Sequence, residues 1–512
     1  MYSLTSLTAL TAVTLCMFFF APVGNIAISY GKPLTVSKKV APFLLEHVKT
    51  GTPQDILIEL SAEADLSDVK NIKSFESRKQ FVYDRLRTTA LKTQKPLLKW
   101  LRQKGRDGQF VQSFYIANLI AVNAAPPELI LKIALRDDVK MIWGNPVTKG
   151  IPPFEDPVIS SEDGRGVEPN IERTGASRVW TEFNVTGAGV VVASPDTGVH
   201  WEHPALKKKY RGFSEEGVTH QYHWHDAIKG PLTDQNENKC GYNLSAPCDD
   251  NGHGTHTTGT IVGDDGAENQ IGMAPGARWI ACRNMESGLG RPSTYIECFE
   301  FFLAPYRYGE NPMTDGKPAE AAHVINNSWV CIEGEGCSQG VFISTLKSLY
   351  SAGIMVVASA GNWGPSCATL TDPPAANSQL TLSVGAYNHW KDVIASFSSR
   401  GPSTYDRELG PDVVAPGIRI RSSASGGKYL ELNGTSMAGP HVVGLVALIW
   451  SSDPTLIGRV DETTKIVRLT ATPQTSSENC GGVVGSKIPN NTFGYGLIDA
   501  YKAVGTRLVH SR

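Results

Sequence analysis

Three short stretches carry side chains from which a strong nucleophile can be built. They are Ser-Pro-Asp-Thr-Gly-Val around Asp196, Asn-Gly-His-Gly-Thr-His around His253, and Asn-Gly-Thr-Ser-Met-Ala-Gly-Pro-His around Ser436. A buried carboxylate can hold an imidazole in one tautomer, and that imidazole can take the proton of an alcohol, equipping it for acyl transfer. Each residue alone has an ordinary explanation. Asp196 could close an Asx-turn, His253 could cap a helix, and Ser436 could be a plain N-cap serine. The three together, in the order Asp, His, Ser, favour the chemistry.

The neighbouring residues suit that work. Asn433-Gly434-Thr435 allows a tight turn before a helix expected over 437–450. A serine at a helix N-terminus has free backbone N–H groups and the positive dipole end beside it, both useful to an oxyanion. Pro440 fits near the start of such a helix, where amides lack intrahelical partners. Glycines on either side of His253 admit close approach of another backbone. His256 is expected to pack or hydrogen-bond locally.

The elements that must position these groups are legible as apolar runs. Residues 190–193, 278–281, 322–326, 353–359 and 379–384 read as strands buried on both faces, alternating with helices. That pattern implies an α/β fold with a largely parallel, doubly wound sheet. In such sheets sites form at the carboxyl ends of strands, where Asp196 and Asn362 fall.

Together the three stretches resemble the subtilisin-like serine proteases over residues 187–500. The resemblance implies that Asp196 orients the imidazole, His253 is the general base and then acid, and Ser436 is the nucleophile. Ala358-Ser359-Ala360-Gly361-Asn362 is similar to the family's oxyanion segment, with Asn362 donating its amide beside the Ser436 N–H. Ile325-Asn326-Asn327-Ser328-Trp329 resembles the strand that pairs with an extended substrate, so Ser328, Trp329 and Val330 are expected to bind it. Phe397-Ser398-Ser399-Arg400-Gly401-Pro402 and the run from Pro411 to Gly417 are similar to family scaffold motifs. Two departures stand out. Pro195 removes an amide just before Asp196 and suits a strand end or edge. Val330 stands where the family has glycine, which would narrow or reshape the cleft. The alternative of a catalytically silent binding module with this fold would be expected to lack His, Ser or the oxyanion Asn, and all are present.

Upstream lies a different unit. Residues 55–60 alternate like a strand, a helix is expected from about Ser77 until Pro96 breaks or restarts it, and 111–124 reads as one long strand. A second helix through Ala134 and a strand at 139–143 complete a small ferredoxin-like α+β unit. It resembles the family's inhibitory prosegment. Residues 144–166, rich in Pro, Gly, Ser and acidic side chains, read as a linker open to proteolytic nicking. The resulting division is a signal peptide over 1–29, a prosegment over 30–150, a linker with the maturation site over 151–166, and a catalytic domain over 167–512. The signal rests on an uncharged apolar run before Pro22-Val23-Gly24.

A net charge of −2 argues against a nucleic-acid binder. Its distribution is uneven, with 20 Lys+Arg against 12 Asp+Glu over 32–149 and 28 against 38 over 150–512. The two units should therefore attract. Partners are expected to be polypeptide substrates and the chain's own prosegment, with no membrane after signal removal, and the protein is expected to be a secreted monomer. Beyond Cys16 there are eight cysteines, enough for four disulfides, with Cys240/Cys248 and Cys331/Cys337 as close pairs and the other pairings open. Sequons at Asn184, Asn243 and Asn490 suit an exported glycoprotein, while those at Asn326 and Asn433 fall in core motifs and should stay bare. No cofactor is expected for catalysis. Structural calcium is common in the resembled family, but neither Asp249-Asp250 nor Asp264-Asp265 has ligand spacing, and Asp250 reads equally as a solvated loop charge. His220, His223 and His225 read as a surface cluster rather than a metal site.

Overall fold

The computed structural model describes residues 38–106, 111–150, 158–159, 164, 166–234 and 238–510. The expected signal segment and most of the linker lie outside the described residues. In the N-terminal unit a helix, α1 (Pro42–Lys49), precedes β1 (Gln54–Leu60), α2 (Phe75–Gln103), β2 (Val111–Phe114), β3 (Leu119–Ala125), α3 (Pro127–Ala134) and β4 (Val139–Gly144). The strands form an antiparallel sheet in the order β2-β3-β1-β4.

Two details differ from the expectation. The run 111–124 is a hairpin rather than one strand, because the chain turns at 115–118 with Asn118 in the left-handed region at φ 49°. Asparagine tolerates that conformation at little cost. Pro96 does not interrupt α2. It lies on the exposed face, as does Lys92, whose carbonyl it leaves without a helical donor but within reach of water.

One face of this sheet packs Ile56, Ile58, Ile120 and Val122 against Leu97, Leu101, Ile130 and Ile133 of its own helices. The other face lies on the C-terminal unit. Leu57, Leu119 and Ala121 share a buried core with Phe299 and Phe302 of α5 (Pro292–Leu303) and Leu346 of α6 (Ile343–Ala352). Burying each large apolar side chain there contributes about 1.5–3 kcal/mol. Polar contacts align the two units. Asn145 caps α5, accepting from Ser293 N at 2.9 Å, and Glu300 Oε2 accepts from Tyr115 N at 2.6 Å and Ile116 N at 3.0 Å. Arg78 donates to the carbonyls of Tyr350, Ser351 and Gly458. The ion pair Asp55–Arg291 also crosses, with the acid on the basic unit.

The C-terminal unit is built on an eight-stranded sheet. Its parallel strands are β6 (Val191–Asp196), β7 (Trp224–Asp226), β8 (Arg278–Arg283), β10 (Val324–Asn327), β11 (Met355–Ser359), β12 (Leu382–Asn388) and β13 (Val413–Pro416). They lie in the order β7-β8-β6-β10-β11-β12-β13, with Val393–Ile394 antiparallel on β12. The chain starts at β6, runs out to one edge, then crosses back to β10 and proceeds to the other. The order therefore reverses beside β6, where a crevice opens at the carboxyl ends. Helices α4 (His253–Val262) and α7 (Thr435–Ser452) pack on the sheet, with α4 and residues 435–450 of α7 buried.

Disulfides join Cys240–Cys248, Cys282–Cys298, Cys331–Cys337 and Cys367–Cys480. Both close pairs form, and the two left open are resolved. The last closes a separation of 113 residues, where loop-closure entropy gives the largest gain, about 4–5 kcal/mol in the chain-entropy account. Among the sequons, Asn184 and Asn243 are exposed and Asn326 and Asn433 are buried. Asn490 corrects the expectation. It is fully buried and its amide donates to the carbonyls of Gln474 and Lys487, so the folded chain offers no nitrogen there for a glycan.

Candidate active site

Asp196 ends β6 and is fully buried. Its Oδ1 accepts from Thr197 N at 2.7 Å, and both oxygens contact His253 Nδ1, at 2.8 and 3.0 Å. His253 is the first residue of α4. Burial works against protonation of its imidazole, but the charge and hydrogen bond of Asp196, with Asp249 behind, prevail and raise its pKa above the ordinary value. Nε2 is left without a partner, facing away from Asp196 and open to a proton.

The glycine after His253 is required by contact. A Cβ on Gly254 would fall 2.1 Å from the Gly198 carbonyl oxygen, so only glycine lets the His253 and Asp196 segments meet. Asp249 fastens the same junction. Its Oδ1 accepts from Thr197 Oγ1 and Gly252 N, and its Oδ2 from Thr255 N and Oγ1. Its neighbour Asp250 is not a solvated loop charge. Its side chain is buried against Arg283, accepts from Ser287 N at 2.9 Å, and burial pushes its carboxyl up to about 6.

Pro195 sits inside the sheet without leaving a broken ladder. Strand β10 pairs β6 only at Val192 and Ala193, so the lost amide falls beyond that pairing. The Pro195 carbonyl accepts from the Trp329 indole at 2.9 Å. Trp329, expected to bind substrate, thus has its side chain in the core, stacked on Tyr295 with centroids 3.7 Å apart. Val330 is also buried. Of the three, Ser328 faces the site.

Ser436 is the second residue of α7, and its Oγ donates to the Ser328 carbonyl at 2.9 Å. Pro440 is the sixth residue of α7, not a first-turn residue. It has no N–H to give to the carbonyl four residues back, which is that of Ser436. Ser328 Oγ supplies the missing donor at 3.0 Å. Asn362 follows β11, and its Oδ1 accepts from Thr435 N at 3.0 Å and Thr435 Oγ1 at 2.9 Å. This fixes which end of the amide faces the site. A Cβ on Gly434, whose φ is 150°, would lie 3.5 Å from Asn362 Nδ2 and 3.6 Å from Ser436 N. Both nitrogens therefore lie close to one point beside Gly434, as two donors to a single oxygen would need to.

The segment after β4 runs along this site. Strand β5 (Thr148–Lys149) pairs antiparallel with β9 (Leu289–Gly290), and Gly150 N donates to Gly288 O at 2.7 Å. A cavity of about 260 Å3 lies between Lys149-Gly150 and His253, Ser328 and Leu289. The arrangement can hold an extended polypeptide beside an imidazole, an alcohol and two convergent donors.

A model of the subtilase family matches residues 187–496. The chain belongs to the subtilase family. It is 34% identical over 488 residues to bacillopeptidase F of Bacillus subtilis (strain 168), covering 91% of this chain and 31% of that protein. Serine protease AprX of the same organism is 30% identical over 298 residues, 53% of this chain and 59% of AprX. Subtilisin E is 32% identical over 302 residues, 59% of this chain and 65% of subtilisin E. The chain thus spans less than two thirds of the length of each.

Residues that sequence reasoning passed over in this subtilase are Asp249 and Thr197, Ser287–Gly290, and Thr435 as the holder of Asn362. Of these only Asp249 carried a signal, as part of the Asp249-Asp250 pair that lacks the spacing of a calcium ligand set. Among the described residues no group of three His, Cys, Asp or Glu side chains is gathered to hold a metal ion. Asp264 and Asp265 instead accept backbone N–H groups of their own loop. His220, His223 and His225 are half-buried rather than at the surface, each with its own partner: Tyr210, Arg211 and Glu297. His256 reaches further than expected, bonding the carbonyls of Ile420 and Leu430, and burial lowers its pKa to about 3.

Proposed function

We propose that this subtilase is a secreted serine endopeptidase made as a zymogen, with Ser436 as nucleophile. The observation that carries the reading is the Asp196–His253 pair together with a helix-N-terminal serine whose N–H and the Asn362 amide nitrogen lie close to one point beside Gly434. The Ser436 hydroxyl turns from the Ser328 carbonyl to His253 Nε2, gives up its proton, and attacks the substrate carbonyl carbon. The oxygen that becomes negative is received by Ser436 N–H and Asn362 Nδ2. His253 then protonates the departing amine. Water, deprotonated by the same imidazole, hydrolyses the acyl ester and restores the hydroxyl. No cofactor enters these steps.

Residues 30–150 act as the inhibitory prosegment, following a signal over 1–29. Residues 148–150 occupy the groove in an extended, substrate-like register, and maturation cuts within 151–166. The mature enzyme should be labelled at Ser436 by phenylmethylsulfonyl fluoride and lose all proteolysis. A folded protein that never reacts, while casein stays intact, would sink the reading.

A further inference from the structure

The segment 148–150 has two edges, and they are satisfied in different ways. In an antiparallel ladder successive residues turn their N–H groups to opposite sides. Thr148 and Gly150 face β9, with Gly150 N on Gly288 O. Lys149 faces the chain that follows β10. Among the described residues β5 has no second strand partner, because the chain turns away beyond Ser328 and Cys331 N donates to Pro373 O at 2.9 Å. A side chain takes the place of that strand. Glu335 Oε2 accepts from Lys149 N at 2.7 Å.

We propose that Glu335 is a specificity-determining residue, its carboxylate receiving one backbone N–H of a bound polypeptide at the position Lys149 occupies here. This rests on the proposed function, in which the groove holding 148–150 is the substrate groove. A carboxylate acceptor is stronger than the backbone carbonyl it replaces. Its loop is also tied down. The Cys331–Cys337 disulfide closes its loop, Cys337 N donates to Ile332 O at 3.2 Å, and Glu333 N donates to Asp372 Oδ1 at 2.9 Å. A fixed acceptor costs the complex little ordering entropy. The chemical consequence is a demand for a free N–H. Proline at that substrate position leaves Glu335 unpaired and is disfavoured.

The test uses the mature enzyme and peptides in which each of the four residues before the scissile bond is joined, in turn, by an ester instead of an amide. This removes one N–H without adding bulk. At one position the ester should lower kcat/KM of the wild type about tenfold, the size expected for a single charge-assisted bond. Glu335→Ala should lose about as much with the all-amide peptide and almost nothing more with that ester. Glu335→Gln, which keeps an acceptor, should retain part of the sensitivity. Ester and substitution losses that multiply independently at every position overturn the inference. Failure of the underlying reading looks different, since the wild type would then cleave no peptide of the series.

Discussion

At the scale of residues, the site depends on a few donors and acceptors held by neighbours that do no chemistry. Asn362 is oriented by Thr435, which binds its oxygen twice and leaves its nitrogen toward Gly434. Replacing Asn362 with Ala should lower kcat about a hundred- to a thousandfold with little change in KM, measurable in steady-state peptide hydrolysis. An equal rise in KM would mean that the amide binds ground state and transition state alike. The imidazole makes a second prediction. In the proposed mechanism His253 must be neutral to accept the Ser436 proton, and Asp196 raises its pKa despite the opposing effect of burial. Activity is therefore lost as pH falls through that raised value. The acid limb of the kcat/KM profile should lie above the free imidazole value of about 6.5, and a limb below it would contradict the assignment.

At the scale of elements, α7 carries a proline where its first turns must also carry Ser436. The Ser436 carbonyl would be a buried orphan without Ser328 Oγ. Ser328→Ala, made in a Ser436→Ala background to prevent self-digestion, should cost about 1–3 kcal/mol in urea unfolding. An unchanged midpoint would show that water or a shift of α7 replaces the hydroxyl. The same strand end explains Pro195. A proline before the central carboxylate is tolerated because β10 has already ended its pairing and the Trp329 indole caps the carbonyl. Trp329, just past the end of β10, and Pro195 on the adjacent β6 are thus one device.

At the scale of the whole molecule, a basic unit sits on an acidic one, yet their contacts are mostly not ion pairs. Arg78 and Arg87 bond backbone carbonyls, Glu300 bonds backbone N–H groups, and the pair Asp55–Arg291 has its signs reversed against the net charges. Net charge then governs encounter more than residence. Residues 31–150 expressed alone should inhibit the mature enzyme at micromolar concentration. Raising salt from 0.05 to 1 M should slow association about tenfold and leave dissociation nearly constant. A dissociation rate that rises as steeply as association falls would place the charge effect inside the interface.

The amino-acid order alone pointed to the proposed chemistry and to the sheet that supports it. Asp196, His253, Ser436 and Asn362 lie in local motifs, and short apolar runs alternating with helical stretches suit parallel strands buried on both faces. The ends of those strands marked the crevice. Other features depended on pairings between segments far apart in the chain, which local patterning does not encode. The hairpin at 115–118 appeared only once β3 lay between β1 and β2. Trp329 turned from the groove into the core because Pro195 needed a donor and Tyr295 offered a face. Asp250 became a buried partner of Arg283, and Asn490 a buried donor. The groove itself was decided by the tertiary structure. Ser287, Gly288 and Leu289 line it beside His253, Glu335 bonds Lys149 N at its rim, and only folding brings these segments together.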